Sequence, residues 1–292
     1  MALVEIDNLH VRFVSRTRVV QAVEGVSLTL EEGEVLGLLG ESGSGKSVTL
    51  RSIMRLLPER GVTVTGAVRA CGVDVLNADE NALRQLRGPK VAMVFQEPMT
   101  ALDPVFPIGH QIAEPIVFHE GVSWSAALAR ARQLLEIVQV PSPERRLQAY
   151  PHELSGGLRQ RAMIAVALAC KPFVLLADEP TTALDATVQI QILLLLRSLQ
   201  QELGMAVIMV THDVGVAAEI SDRIAVMYGG KIVETGSAIE VLKNPRHTYT
   251  RALLQATIRG DVSTDQSMEM VTVTPPAGGL APGLTEVGPK NS

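Results

Sequence analysis

The sequence predicts an α/β fold with a block of helices inserted into it, and three observations predict it. Gly40-Glu41-Ser42-Gly43-Ser44-Gly45-Lys46-Ser47 matches the phosphate-binding pattern G-x-x-x-x-G-K-[ST] at every fixed position. The apolar run 34–39 precedes it and residues 48–57, apolar at helical spacing, follow it, so the loop joins a strand to a helix. Strand-and-helix alternation returns after residue 173, with an apolar strand at 173–177 that ends in Asp178 and Glu179. Between these halves, residues 108–148 carry helical periodicity and no strand signal.

Taken in order, residues 4–6 and 9–13 alternate as short strands, 22–30 continue them, and Glu31-Glu32-Gly33 is a turn. Residues 61–77 read as a strand pair punctuated by Gly66 and Gly72, 81–87 as a short helix and 90–95 as an apolar strand. Pro98 and Pro104 then predict an irregular loop over 97–104. In the helical block, Ile108, Ile112, Ile116 and Val117 share one face, and 126–140 form a second amphipathic stretch capped by Ser123 or Ser125. Helices are expected at 161–169, 186–203, 214–220, 239–243 and 248–256, and strands at 206–210, 224–227 and 231–233. From about Gly260 the chain is rich in Thr, Ser, Pro and Gly, and 260–292 read as a flexible tail.

Composition narrows the function classes. A net charge of −5 and only 3% aromatic residues argue against a nucleic-acid partner, which needs a basic face or stacking platforms. Cys71 and Cys170 lie far apart among small or apolar residues, so buried free thiols in a reducing compartment are expected rather than a disulfide or metal framework. The first residues are acidic where a secretory signal would be basic. The longest apolar run, 162–170, is half the ~18 residues of a membrane span, so any membrane role is expected to come through a partner.

Several residues carry chemistry. Glycines let backbone N–H groups converge on an anion, the helix N-terminus adds positive charge, Lys46 brings a cation and Ser47 a hydroxyl for Mg²⁺. Asp178, at the carboxyl edge of a parallel sheet, can hold Mg²⁺, and strand alternation turns Glu179 toward a water it could deprotonate. Leu154-Ser155-Gly156-Gly157-Leu158-Arg159-Gln160 is either a second anion site or simply a capped helix start. Gln96 could reach metal or attacking water, or serve as a loop hydrogen-bonder. His212 could contact the outermost phosphate or be structural. Phe13 could stack on a base or belong to the core, and Asp185 is also a candidate helix cap.

Together, the phosphate loop, Gln96, Leu154 to Gln160, Leu175-Leu176-Ala177-Asp178-Glu179-Pro180, Ala183-Leu184-Asp185 and His212 resemble the ATP-binding subunits of ABC transporters, over roughly residues 3–255. The resemblance implies a RecA-like P-loop NTPase core (1–96 and 161–259) with an N-terminal antiparallel β part, and a helical signature subdomain (97–160). It implies that ATP is held by Gly40 to Val48, namely Gly40, Glu41, Ser42, Gly43, Ser44, Gly45, Lys46, Ser47 and Val48, with Phe13, Ser155, Gly156, Gly157, Gln160 and Asp185. Mg²⁺ falls to Ser47, Gln96 and Asp178, and catalysis to Glu179, His212 and Gln96. The loop, Phe95 to Pro104, Asp178 to Asp185 and Asn244 to Thr250 look like the oligopeptide/dipeptide/nickel importer branch.

That branch implies an ATP-hydrolysing subunit powering import of di- or oligopeptides, with nickel or another small solute as the alternative. Its partners would be a second ATPase subunit (the same or a different chain), two integral membrane permease subunits and, indirectly, a solute-binding protein. The chain would sit peripherally on the cytoplasmic face of the inner membrane. Many members hold an iron–sulfur cluster in a cysteine-rich C-terminal segment; residues 260–292 have no cysteine, so no cluster is expected. A soluble ABC-type ATPase acting on DNA or ribosomes would carry a coiled-coil or basic insertion or fused halves, and a P-loop kinase or GTPase has no use for Leu154 to Gln160.

Overall fold

The computed structural model describes residues 2–181 and 184–260. In chain order the elements are β1 (Ala2–Val14), β2 (Val19–Glu31), β3 (Val35–Leu39), α1 (Lys46–Ile53), β4 (Val62–Ala70), β5 (Val73–Asp74), α2 (Glu80–Leu86) and β6 (Val91–Val94). A helical series follows: α3 (Pro98–Ala101), α4 (Ile108–Glu120), α5 (Trp124–Ile137), α6 (Pro143–Leu147), a 3-10 turn (Pro151–Glu153) and α7 (Gly156–Leu168). The chain then alternates through β7 (Val174–Asp178), α8 (Ala186–Leu203), β8 (Ala206–Thr211), α9 (Val214–Ile220), β9 (Arg223–Tyr228), β10 (Lys231–Ser237), α10 (Ala238–Lys243) and α11 (Thr248–Gly260).

Two sheets result. One is antiparallel in the order β2-β1-β4-β5; the other runs β10-β9-β3-β8-β7-β6, parallel except for β10 at its edge. The expected α/β class is therefore what forms. Strands β3 and β7 are buried at every residue because both faces of the parallel sheet are covered. Alternation divides their side chains: Leu36, Leu38, Val174 and Leu176 pack with α1 and the antiparallel sheet. Leu175 and Ala177 join Ile112, Ile116, Leu135 and Ile164 of the helical series on the other face.

The structure departs from the expected elements at three places. Residues 4–6 and 9–13 are one strand, not two: the register shifts between Ile6 and Leu9, with Asn8 at φ 47°. Gly66 lies opposite this bulge, where an added Cβ would meet the Asn8 carbonyl oxygen at 2.4 Å. The stretch after β6 is not wholly irregular, because Pro98 occupies the first turn of α3, where its missing N–H is not needed. Helix α7 starts at Gly156, ahead of the expected residue 161, because Ser155 caps it. Ser123, rather than Ser125, caps α5. The expected tail and its missing cluster lie, from residue 261 on, outside the described residues. No helix among the described residues is long and apolar enough to cross a membrane.

Asp222 ties the start of the sheet to α8. Its carboxylate accepts from the Val35 N–H (2.8 Å) and from Arg197 Nη2 (2.8 Å) and Nη1 (3.2 Å). Burial works against the charge, but the hydrogen bonds from Arg197 and Val35 outweigh it and hold the carboxyl below its ordinary pKa. A depressed acid contributes stability above its unfolded pKa and loses it as pH falls through the folded value. The side chain remains 44% exposed, so solvent screening limits that contribution to about 1 kcal/mol. Asp222→Asn should lower the urea midpoint at pH 7, and the deficit should close in acid; a deficit independent of pH would locate the effect in packing.

Candidate functional site

The carboxyl ends of β3, β8, β7 and β6 lie in register, with Leu39 opposite Thr211, Val210 opposite Asp178 and Ala177 opposite Val94. The loop from Gly40 to Gly45 leaves this edge from β3 and enters α1. Gly45 has φ +104°, and a Cβ there would meet the Ala22 carbonyl oxygen of β2 at 2.4 Å, so only glycine fits. No side chain caps α1, which leaves the N–H groups of its first turn facing the loop's concavity. Lys46 is buried, and its Nζ donates to the carbonyls of Gly40 (2.7 Å) and Glu41 (2.8 Å). Burial lowers its pKa, while Glu179, Asp178 and Glu41 oppose that shift by their charge. Ser44 is buried; Glu41, Ser42 and Gly43 stand exposed, and Val48 packs on the core beneath.

The Ser47 hydroxyl donates to Asp178 Oδ1 at 2.7 Å. Asp178 is only 1% exposed, and burial raises its pKa; the Ser47 hydrogen bond and Arg51 pull it back, and the Glu179 charge adds to the rise. Strand β7 ends at Asp178, so strand alternation is not what directs Glu179. The backbone of Glu179 turns left-handed (φ 46°), and its N–H donates to the Val210 carbonyl at 3.1 Å. Its Oε2 lies 3.3 Å from Gln96 Nε2 and 3.3 Å from His212 Nδ1. Three residues from three strand ends thus meet at one carboxylate. Gln96 also lines a cavity of about 470 Å³ with Arg51, Phe95, Glu97, Thr100 and Ala101, between α1 and α3.

The second glycine-rich segment opens α7. The Ser155 side chain accepts from the Leu158 N–H (3.4 Å), and Ser155 and Gly156 are exposed. At Gly157 a Cβ would meet Val188 Cγ1 at 2.8 Å, so the start of α7 presses on the start of α8. Asp185 caps α8 by accepting from the Val188 N–H at 3.0 Å. Two helix N-termini therefore lie side by side, each with its positive pole and each capped by an exposed side chain. Gln160 points inward instead: it is 2% exposed, and its Nε2 has no hydrogen-bond partner among the described residues. Thr182 and Ala183 lie outside the described residues.

Phe13 pairs with Val20 and Val62 across its strand neighbours and is half-buried among the apolar side chains of the antiparallel sheet. The residues that hold the loop from outside are invisible to motif reading. The Gly230 N–H donates to the Ser44 carbonyl (3.0 Å), and the Glu41 N–H donates to the Tyr249 hydroxyl (3.1 Å). Tyr249 belongs to the stretch Asn244 to Thr250 that carries the branch resemblance, but nothing in its spacing says what it touches.

A nucleoside-triphosphate site at the carboxyl edge of a parallel sheet, completed by an acid pair, defines an α/β P-loop ATPase. The family model for ABC transporters matches residues 23–182. The chain is 48% identical over 98% of its length to a putative peptide import ATP-binding protein of Brucella abortus (strain 2308), of which it covers 86%. It is 46% identical over 94% of its length to the oligopeptide transport ATP-binding protein OppD of Bacillus subtilis (strain 168), of which it covers 77%. A dimeric, post-hydrolysis ATP-binding cassette bound to ADP and Pi superposes with TM-score 0.72 at 31% identity, over 80% of this chain and 98% of that one. The chain belongs to the ABC transporter family, and it is an ATP-binding, ATP-hydrolysing member of it.

The buried Asp178 carries a stability cost that follows from its raised pKa. An acid with a raised folded pKa favours folding only below its unfolded pKa; once ionised at neutral pH it weighs against the folded state. Asp178→Asn keeps an acceptor for Ser47 and removes the charge. It should raise the melting temperature of the nucleotide-free chain by a few degrees at pH 8. That gain should shrink as pH falls through the raised value of Asp178, and Mg²⁺-dependent ATP affinity should fall throughout. A melting temperature lowered at pH 8 would contradict the assigned cost.

Proposed function

We propose that this chain hydrolyses ATP at Glu179 to drive import of di- or oligopeptides through a membrane transporter. The observation that carries the catalytic part is the meeting of Gln96 Nε2 and His212 Nδ1 on Glu179 Oε2, each at 3.3 Å, beside the Ser47–Asp178 pair. Glu179 takes a proton from the attacking water as the water oxygen bonds to the outermost phosphorus of ATP and the bond to the bridging oxygen breaks, releasing ADP and phosphate. His212 and Gln96 orient the carboxylate and the water, and Lys46 exchanges its loop carbonyls for phosphate oxygens. The Ser47 hydroxyl and Asp178 carboxylate are hard oxygen donors of the kind Mg²⁺ takes alongside phosphate and water, and they would hold it. Bound there, Mg²⁺ would neutralise phosphate charge. Phe13 stacks on the base.

The peptide assignment is supported by the names of the relatives, which speak of peptide import, oligopeptide transport and, for a Salmonella typhimurium protein of which the chain covers 42%, glutathione import. The reading divides the chain into a core of residues 1–96 and 161–259 and a helical subdomain of 97–160. It places the core head-to-tail against a second ATPase subunit. The exposed Ser155, Gly156 and Asp185 of one chain then close on the ATP held by the phosphate loop of the other, while the buried Gln160 supports that edge from within. Two membrane permease subunits, fed by a solute-binding protein, complete the complex, with this chain peripheral on the cytoplasmic face.

Glu179→Gln keeps size and hydrogen bonding but removes the base. Turnover should fall by about 10²–10⁴, ATP binding should persist, and an ATP-bound dimer should accumulate in size-exclusion chromatography. Hydrolysis within a few-fold of wild type in the assembled complex would remove Glu179 from the role. Ser155→Arg should abolish turnover while the isolated chain still binds ATP through Lys46 and Ser47. If the monomer lost ATP binding as well, Ser155 would act on its own chain's nucleotide.

A further inference from the structure

The phosphate loop is held at two points by the C-terminal part of the chain. The turn between β9 and β10 supplies the Gly230 N–H to the Ser44 carbonyl (3.0 Å), and Tyr249, in the first turn of α11, accepts the Glu41 N–H at 3.1 Å. Tyr249 is placed from three sides. Its ring lies against Tyr228 at the end of β9, with centroids 4.2 Å apart. Its N–H donates to His247 Nδ1 at 3.2 Å. The segment leading into it is fastened to β10, because Glu234 accepts the N–H groups of Arg246 (2.7 Å) and His247 (3.0 Å). The hydroxyl is thus presented by a rigid base to one particular amide of the loop.

Both backbone groups of Glu41 are held by side chains: the N–H by Tyr249 and the carbonyl by Lys46 at 2.8 Å. These two holds differ in fate. Lys46 is the loop's cation, and when its donors turn to phosphate the Glu41 carbonyl keeps only backbone support, from the Ser44 N–H at 3.2 Å. Tyr249 then remains the side-chain anchor of that residue. Three of the six residues from Gly40 to Gly45 are glycines, so ordering the loop around a phosphate is entropically costly unless its ends are already fixed. We propose that Tyr249 is a positioning residue for the phosphate loop: by holding the Glu41 amide it pre-orders the loop for ATP, so that nucleotide affinity depends on the seating of α11. The proposal rests on the assignment of this loop to ATP.

Tyr249→Phe tests it in the full-length chain, since the ring and its contact with Tyr228 are kept and only the acceptor is lost. ATP affinity should weaken by roughly three- to ten-fold, the equivalent of one neutral hydrogen bond. The turnover number at saturating ATP should stay within two-fold, and the melting temperature without nucleotide should not change. Tyr228→Leu, which removes the ring's support while leaving the hydroxyl, should weaken affinity in the same direction, and adding it to Tyr249→Phe should weaken it little further. Unchanged ATP affinity in Tyr249→Phe overturns the proposal, as does a loss of affinity that tracks a fall in melting temperature. Absence of ATP binding by the wild-type chain would be a different failure, that of the nucleotide site itself.

Discussion

Everything at the candidate site depends on the parallel register of β3, β8, β7 and β6. Each strand delivers its chemistry at its carboxyl end: the phosphate loop after Leu39, His212 after Thr211, Asp178 and Glu179 at the end of β7, and Gln96 two residues beyond β6. A slip of one residue in any pair would displace that contribution by about 3.3 Å and turn its side chains to the opposite face. The register is secured by burial on both sides, because alternate residues of the same strands belong to two different cores. Hydrophobic packing, which has no directional preference of its own, thereby sets distances among polar groups that touch neither core.

The two glycine-rich segments solve related problems by different means. At Gly45 the backbone itself must bend into a left-handed conformation against the Ala22 carbonyl, so the loop can wrap an anion. At Gly157 the requirement is room for Val188, which lets two helix N-termini approach. Aligned helix poles side by side would repel, and the arrangement is eased by the Asp185 carboxylate that caps one of them. Such a paired positive edge would be stabilised further by an anion brought against it.

The fold class and the chemistry were legible in the sequence wherever function is tied to contiguous residues. The phosphate loop, the strand bearing Asp178 and the helices α8 and α9 were readable because periodicity and motif agree over one short stretch. Local conformation that breaks periodicity was not: the bulge at Asn8 made one strand look like two, and the left-handed turn at Glu179 made a turn look like continued alternation. Contacts between distant residues were also hidden. Tyr249 lies 208 residues from Glu41, and neither stretch carries a trace of the other. The inward position of Gln160 was missed for a similar reason, since a motif gives the order of residues and not which face of α7 they occupy.

The hydrogen bonds at the site separate into tight and loose ones, and the division follows chemistry. Ser47 to Asp178 and Lys46 to its loop carbonyls measure 2.7 to 2.8 Å, the range of charge-assisted bonds. The distances from Glu179 Oε2 to Gln96 Nε2 and to His212 Nδ1 are each 3.3 Å, at the long edge of useful geometry. The groups proposed to hold phosphate and metal are thus tightly set before any ligand arrives, whereas the Gln96 and His212 contacts of Glu179 leave room to close. Catalytic hydrogen bonds commonly tighten once the substrate completes the site. Two of the three groups that would tighten come from exposed strand ends: His212 is 61% exposed, and Gln96 leads directly into α3 and the helical series. Gln96 thus joins that series to Glu179 across a distance at which a shift of a few tenths of an ångström decides whether a hydrogen bond exists. On the proposed roles, binding strength and hydrolytic competence would therefore rest on different parts of the same sheet edge, so that one could change without the other.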